Sequence, residues 1–191
     1  MRKLKLQMQM SLDGYVARPN GALDWMTWDE DNELIQLINS LIEASDTILL
    51  GRKMTDEFVN YWEDVVNNKR DSPEFTFAKK MVDIPKVVFT KTLEKSRWNN
   101  TTLATGNLAG EIAKLKSQEG KDIIVYGGAG FVSSLIKEGL IDEYYIFLNP
   151  TAIGDGMPIF KSLDRTQKFS VVASTSYSCG ITVLHYQPKI D

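Results

Sequence analysis

Three segments of the chain combine glycines, cations and hydroxyls in patterns that suit an anionic ligand. In the first, the apolar run Ile123-Ile124-Val125-Tyr126 enters Gly127-Gly128-Ala129-Gly130 and then a helical stretch carrying Phe131, Val132, Leu135 and Ile136. Glycines let a backbone approach a ligand closely, and a helix start offers free N–H groups to an anion, so a pyrophosphate fits. The spacing is not Gly-x-Gly-x-x-Gly, which argues against an ordinary Rossmann site. A plain tight strand-to-helix turn would use the same residues. The second segment, Leu50-Gly51-Arg52-Lys53-Met54, sets two cations after a glycine at the end of an apolar run. A helix beginning near Thr55 would place those cations beside a positive helix end; the competing reading is a solvated surface pair. The third, Phe89-Thr90-Lys91, offers a hydroxyl and an ammonium. Together the three could hold one polyanionic cofactor. A fourth segment, the loop 11–28, carries Trp25 and Trp28, which could cover a flat ligand or form the loop's own packing.

The elements that must position these residues alternate along the chain. Leu4, Leu6, Met8 and Met10 alternate with Lys3, Lys5, Gln7 and Gln9, the period of a strand. Leu34, Leu37, Ile38, Leu41 and Ile42 make one helical stripe, with Asp29, Glu30 and Asp31 at its favourable, N-terminal end. Residues 47–50 and 86–90 read as buried strands, residues 56–83 as helical pieces broken at Asp71-Ser72-Pro73, and Leu108, Ile112 and Leu115 as a further amphipathic helix. Gly139 suits the cap of the helix after the glycine run, and Tyr144 to Leu148 is a strand. Phe169–Tyr177 and Ile181–Tyr186 meet at Ser178-Cys179-Gly180, a hairpin signal. The expected fold is α/β in three layers: a mixed, mostly parallel sheet, helices on both faces, and a C-terminal antiparallel hairpin, in one domain over residues 1–191. Ligands of such sheets bind beyond the carboxyl ends of the strands, where the segments above lie.

Composition excludes several classes. A net charge of −3 lacks the basic stripe of a nucleic-acid binder. One cysteine, Cys179, and one histidine, His185, leave no internal disulfide, no multi-Cys metal site and no two-His site, so no metal is expected. His185 sits in a strand pattern and reads as structural. No apolar run reaches the roughly 18 residues of a membrane span, and the alternating start is unlike a signal peptide. A cytoplasmic protein acting on a small molecule is the expectation.

The ordered set of motifs resembles the dihydrofolate-reductase-like superfamily, and within it the reductase domain of the riboflavin-synthesis deaminase-reductase. Its markers are Ser11-Leu12-Asp13-Gly14-Tyr15-Val16-Ala17, Gly21-Ala22-Leu23-Asp24-Trp25, Leu50-Gly51-Arg52-Lys53, Val125 to Gly130, Ile141-Asp142-Glu143-Tyr144, and Pro150 to Gly156. The resemblance implies NADPH across the strand ends. Gly127, Gly128, Ala129, Gly130, Phe131 and Val132 would cradle the pyrophosphate, with Gly51 leading into Arg52, Lys53 and Met54 along the phosphates and adenosine. Thr90 and Lys91 would meet the 2′-phosphate, and Gln9, Val16, Ala17 and Trp25 would surround the nicotinamide. It also implies a frequently cis Gly127–Gly128 bond and a homodimer built on the C-terminal strands, whose apolar edge otherwise invites pairing. The implied reaction is hydride transfer to a C=N or C=O carbon of a small heterocycle or ribosylaminopyrimidine. Where riboflavin-type relatives carry a Glu before the paired glycines, this chain has Tyr126. Dihydrofolate reductases carry an acid on the first helix, and an ungapped reading from Trp25 puts Glu30 there as the candidate proton donor. A pterin reductase and a non-catalytic nucleotide-binding domain are the alternatives.

Overall fold

The computed structural model describes residues 1–27 and 31–189. In chain order its elements are β1 (Leu4–Met10), α1 (Asn32–Glu43), β2 (Ser45–Gly51), α2 (Arg52–Asn68), α3 (Phe75–Asp83), β3 (Lys86–Phe89), β4 (Thr101–Ala104), α4 (Leu108–Ser117), β5 (Asp122–Gly127), α5 (Ala129–Lys137), β6 (Glu143–Leu148), β7 (Phe169–Ser176) and β8 (Thr182–Pro188).

All eight strands join one sheet in the order β4-β3-β2-β5-β1-β6-β8-β7. The first strand is central: β1 pairs in parallel with β5 (Leu6 opposite Val125) and with β6 (Leu6 opposite Tyr144). The alternation of β1 decides its two faces. Leu4, Leu6, Met8 and Met10 enter a core shared with Ile112 of α4 and Val132, Leu135 and Ile136 of α5. On the opposite side, Ile48, Leu50, Ile124 and Phe147 meet Leu34, Leu41 and Ile42 of α1, Val59 of α2 and Met81 of α3. These are the expected three layers. The antiparallel hairpin is also present: β8 pairs with β6 and β7 with β8.

Two elements differ from the sequence reading. The helix after Gly51 starts at Arg52, not near Thr55: Gly51 is extended and serves as the N-cap, and the Thr55 hydroxyl donates back to the Gly51 carbonyl at 3.1 Å. Arg52 and Lys53 are therefore its first two residues. The sheet also has an edge strand, β4, that the apolar pattern does not announce, because Thr101-Thr102-Leu103-Ala104 is short and half polar.

Candidate active site

The carboxyl ends of β2 and β5 run directly into the first turns of α2 and α5, and the two junctions touch. A Cβ on Gly51 would stand 2.8 Å from Phe131 Cβ and 3.3 Å from the Gly128 nitrogen. Only a residue without a side chain allows that approach. Gly127 has φ +152°, and a Cβ there would meet Met54 Sδ at 2.7 Å. The Gly127–Gly128 peptide is cis, as the resemblance implied. Gly128 is the N-cap of α5 and accepts the Val132 N–H at 3.0 Å. Phe131 stacks on Phe89 with centroids 4.8 Å apart, which fixes the α5 junction against the end of β3. The structure thus brings Gly51, Met54, Gly127, Gly128 and Phe131 together. Val132 is buried beneath them, Ala129 is half-buried against the same core, and Gly130 is exposed on the first turn.

The charge arrangement there is one that apo packing alone disfavours. α2 has no acidic residue in its first turn and opens on Arg52 and Lys53. Cations at a helix N-terminus oppose its dipole, whereas an anion held between them and the free N–H groups would reverse the sign of the interaction. Among the described residues neither has an ion-pair partner. At the end of β3, Thr90 is buried and its hydroxyl accepts the N–H groups of Thr92 (3.1 Å) and Leu93 (3.2 Å), while Lys91 is exposed. Thr90 therefore shapes the turn that presents Lys91.

On the other side of β5 the chain builds a wall. Val16 and Ala17 are buried and zipped to the segment after β6: the Val16 N–H donates to the Met157 carbonyl at 2.9 Å, and the Met157 N–H to that of Ala17 at 2.8 Å. Asp13 holds the same two loops together, accepting N–H groups from Ile153 (3.0 Å) and Gly154 (2.7 Å). The Ser11 hydroxyl, followed by these backbone bonds, keeps its carboxyl below the usual carboxylate range. Trp25 is 5% exposed, and its indole N–H is buried without a partner among the described residues, as are Gln7 Oε1 and the Tyr126 hydroxyl. Burial pushes the Tyr126 phenol up, so it is neutral at physiological pH.

Glu30, the candidate proton donor, lies outside the described residues, as does Trp28. The neighbouring Asp31 is committed elsewhere. It is the N-cap of α1, with one oxygen accepting from the Glu33 and Leu34 N–H groups and the other from the Ser178 hydroxyl (2.6 Å) and N–H (2.7 Å). The Ser178 hydroxyl, then the Leu34 N–H, lower its carboxyl to about 2, so it holds no proton to give at neutral pH. His185 is structural, stacked on Tyr145 with centroids 4.1 Å apart.

Sequence reasoning passed over Asn149. Its side chain is fully buried at the end of β6, donates to Gln9 Oε1 at 2.7 Å, and accepts the Thr27 N–H at 2.9 Å. The visible signal was an Asn-Pro pair, Asn149-Pro150, closing a strand. Among the described residues no three His, Cys, Asp or Glu side chains cluster to hold a metal, and no helix is long and apolar enough to cross a membrane.

A mostly parallel sheet with two glycine-lined helix starts at its strand ends defines an α/β class whose ligands bind beyond those ends, and comparison with known proteins gives the family. The chain belongs to the family of RibD C-terminal domains, whose model matches residues 2–183. It is 30% identical over 185 residues to the uncharacterized protein YyaP of Bacillus subtilis, covering 97% of this chain and 94% of that one. Its fold matches a putative riboflavin biosynthesis protein from Shewanella sp. PV-4 with a TM-score of 0.75 and 25% identity over the whole of both chains. A Thermotoga maritima deaminase and 5-amino-6-(5-phosphoribosylamino)uracil reductase shares the fold at a TM-score of 0.65 and 16% identity, over 98% of this chain and 57% of that one.

Proposed function

We propose that the protein is an NADPH-dependent reductase that acts on a C=N or C=O carbon of a small heterocycle or ribosylaminopyrimidine, working as a cytoplasmic homodimer. The observation that carries this reading is the contact between the Gly51 and Gly128 junctions, where two helix starts and the cations Arg52 and Lys53 converge. In it, Gly127, Gly128, Ala129 and Gly130 line the pyrophosphate, Arg52 and Lys53 neutralise it, and Lys91 meets a further phosphate. Charge-assisted contacts of this kind contribute about 1.5–3 kcal/mol each. Val16, Ala17, Trp25 and Gln9 form the wall against which a flat ring is held and from which water is excluded. NADPH, when bound, supplies the hydride; the protein supplies position and electrostatics. Since Asp31 is ionised and bonded, the proton that completes the reduction comes from Glu30 or from water. Membership of the RibD C-terminal family supports the reductase class.

The test is loss of NADPH absorbance on mixing the protein with a panel of ribosylaminopyrimidines and pterins, alongside equilibrium binding of NADPH and NADH. The reading expects NADPH to bind more tightly than NADH and at least one compound to be reduced. Lys91→Glu should erase the preference for NADPH; equal losses for both cofactors would remove Lys91 from this role. Absence of binding by either dinucleotide would overturn the reading.

A further inference from the structure

We propose that Asn149 locks the side-chain amide of Gln9 with its N–H2 group facing the site, which makes Gln9 a hydrogen-bond donor to the carboxamide oxygen of the bound cofactor; this rests on the cofactor reading above.

The orientation follows from backbone groups whose polarity is fixed. The Thr27 N–H can only donate, and it meets Asn149 at 2.9 Å, so that atom of Asn149 is its oxygen. The other end of the Asn149 amide lies 3.0 Å from the Phe147 carbonyl, which can only accept, so that end is the N–H2. The same nitrogen is 2.7 Å from Gln9, and a donor there requires the Gln9 oxygen to face it. Turning Asn149 over would set N–H2 against N–H and oxygen against oxygen in a fully buried place, the costly arrangement of unpaired polar groups. Two side-chain amides, each ambiguous alone, are thus oriented in series by two main-chain groups 120 residues apart in the chain (Thr27 and Phe147).

The consequence lies on the far side of Gln9. With its oxygen taken, only its N–H2 remains, and no acceptor among the described residues takes it. Gln9 is half-buried on the penultimate position of the central strand, one strand from Gly127 and beside the loop that carries Trp25. A fixed donor at that point reads an acceptor oxygen and rejects a ligand that presents a donor, the strongest kind of polar discrimination a site can make. Asn149 touches no ligand in this scheme. It is a positioning residue, and through Thr27 it also sets the end of the loop that holds the indole.

The experiment compares wild type, Gln9→Glu, Gln9→Met and Asn149→Ala by equilibrium titration of tryptophan fluorescence. The two probes are NADPH and phospho-ADP-ribose, the same dinucleotide without its nicotinamide. Gln9→Glu keeps an oxygen for Asn149 but replaces the donor by a second oxygen, so NADPH binding should weaken by about tenfold or more while phospho-ADP-ribose stays within about twofold. Gln9→Met should show a smaller loss of the same selectivity. Asn149→Ala should lose NADPH selectively as well, because the freed amide no longer presents one end. Gln9→Glu binding NADPH like wild type, or losing both probes equally, would overturn the inference and leave the cofactor reading standing. A wild-type protein that binds neither probe would overturn both.

Discussion

Replacing Gly51 by Ala probes the contact on which the site is built. The new methyl carbon would lie 2.8 Å from Phe131 Cβ, about 0.7 Å inside the roughly 3.5 Å at which carbon atoms rest comfortably. Phe131 Cβ is the root of a side chain stacked on Phe89, so it cannot swing aside; the first turn of α5 must retreat from the β2–α2 junction. Overpacking of this size costs about 1–3 kcal/mol, which for a chain of this length lowers Tm by about 2–12 °C. The same retreat separates the two helix starts. A displacement approaching 1 Å in a binding site is worth up to about a hundredfold in function, so NADPH affinity should fall about tenfold or more. Differential scanning calorimetry and NADPH titration read the two effects separately. A variant with wild-type Tm would refute the close contact; a lowered Tm with unchanged NADPH affinity would refute the cradle. Gly130→Ala is the counterpart, since a Cβ there meets nothing within 4 Å. It should stabilise the ligand-free protein by about 0.5–1 kcal/mol through helix propensity while weakening NADPH, because the methyl stands on the exposed first turn.

Three further outcomes are expected. Asp31, held at about 2 in the fold against an ordinary 3.8, contributes stability that is fully present above that ordinary value and fades as pH falls towards 2; Ser178→Ala should lower Tm at neutral pH, with the difference vanishing in acid melts, and a pH-independent difference would contradict this. Burial pushes the Lys86 ammonium, which donates to the Val82 and Ile84 carbonyls, down to about 8. The folded chain then sheds its proton before the unfolded one, so stability should climb by about 1–3 kcal/mol between pH 8 and pH 10, discounted for partial screening; urea melts of Lys86→Met should show no such climb. Strand β7 ends the sheet with Val171 62% and Val172 50% exposed, so sedimentation equilibrium should find a homodimer that a Val171→Lys, Val172→Lys double variant reduces to the 21.6 kDa monomer; a wild-type protein running as a monomer would exclude this face as an interface.

The legible parts of the fold were those where one residue type carries one physical meaning. The alternation of Leu4 to Met10 turns one face of β1 into the core under α4 and α5, and Gly51 marks a close approach that no residue with a side chain permits. The start of α2 was harder to place because its N-cap is a glycine without a side-chain oxygen, so no Ser, Thr or Asp announces it. Strand β4 is held by its backbone ladder to β3 from Lys86–Thr101 to Phe89–Ala104, and its side chains carry little of that information. Asn149 and the bonds from Ser178 to Asp31 escaped for a different reason, although Asp31 itself was legible at the start of α1. Their partners, Gln9 and Ser178, lie 140 and 147 residues away, and pairing over that distance leaves no local pattern.

The central place of β1 has a consequence for the birth of the protein. Lys5 pairs with Glu143, and at about 5–20 residues per second roughly 7–28 s of translation separate the two. Until β5 emerges the nascent chain carries a strand with an apolar face and two open edges, and until β6 emerges one of those edges stays open. Strand β1 thus waits for segments made more than a hundred residues later, and the sheet closes around it only when β5 and β6 have emerged. Such long-range parallel pairing folds slowly and exposes unpaired strand to other chains. Yield in a cell should therefore depend on holdase chaperones acting on the amino-terminal strand more than on the stability of the finished sheet.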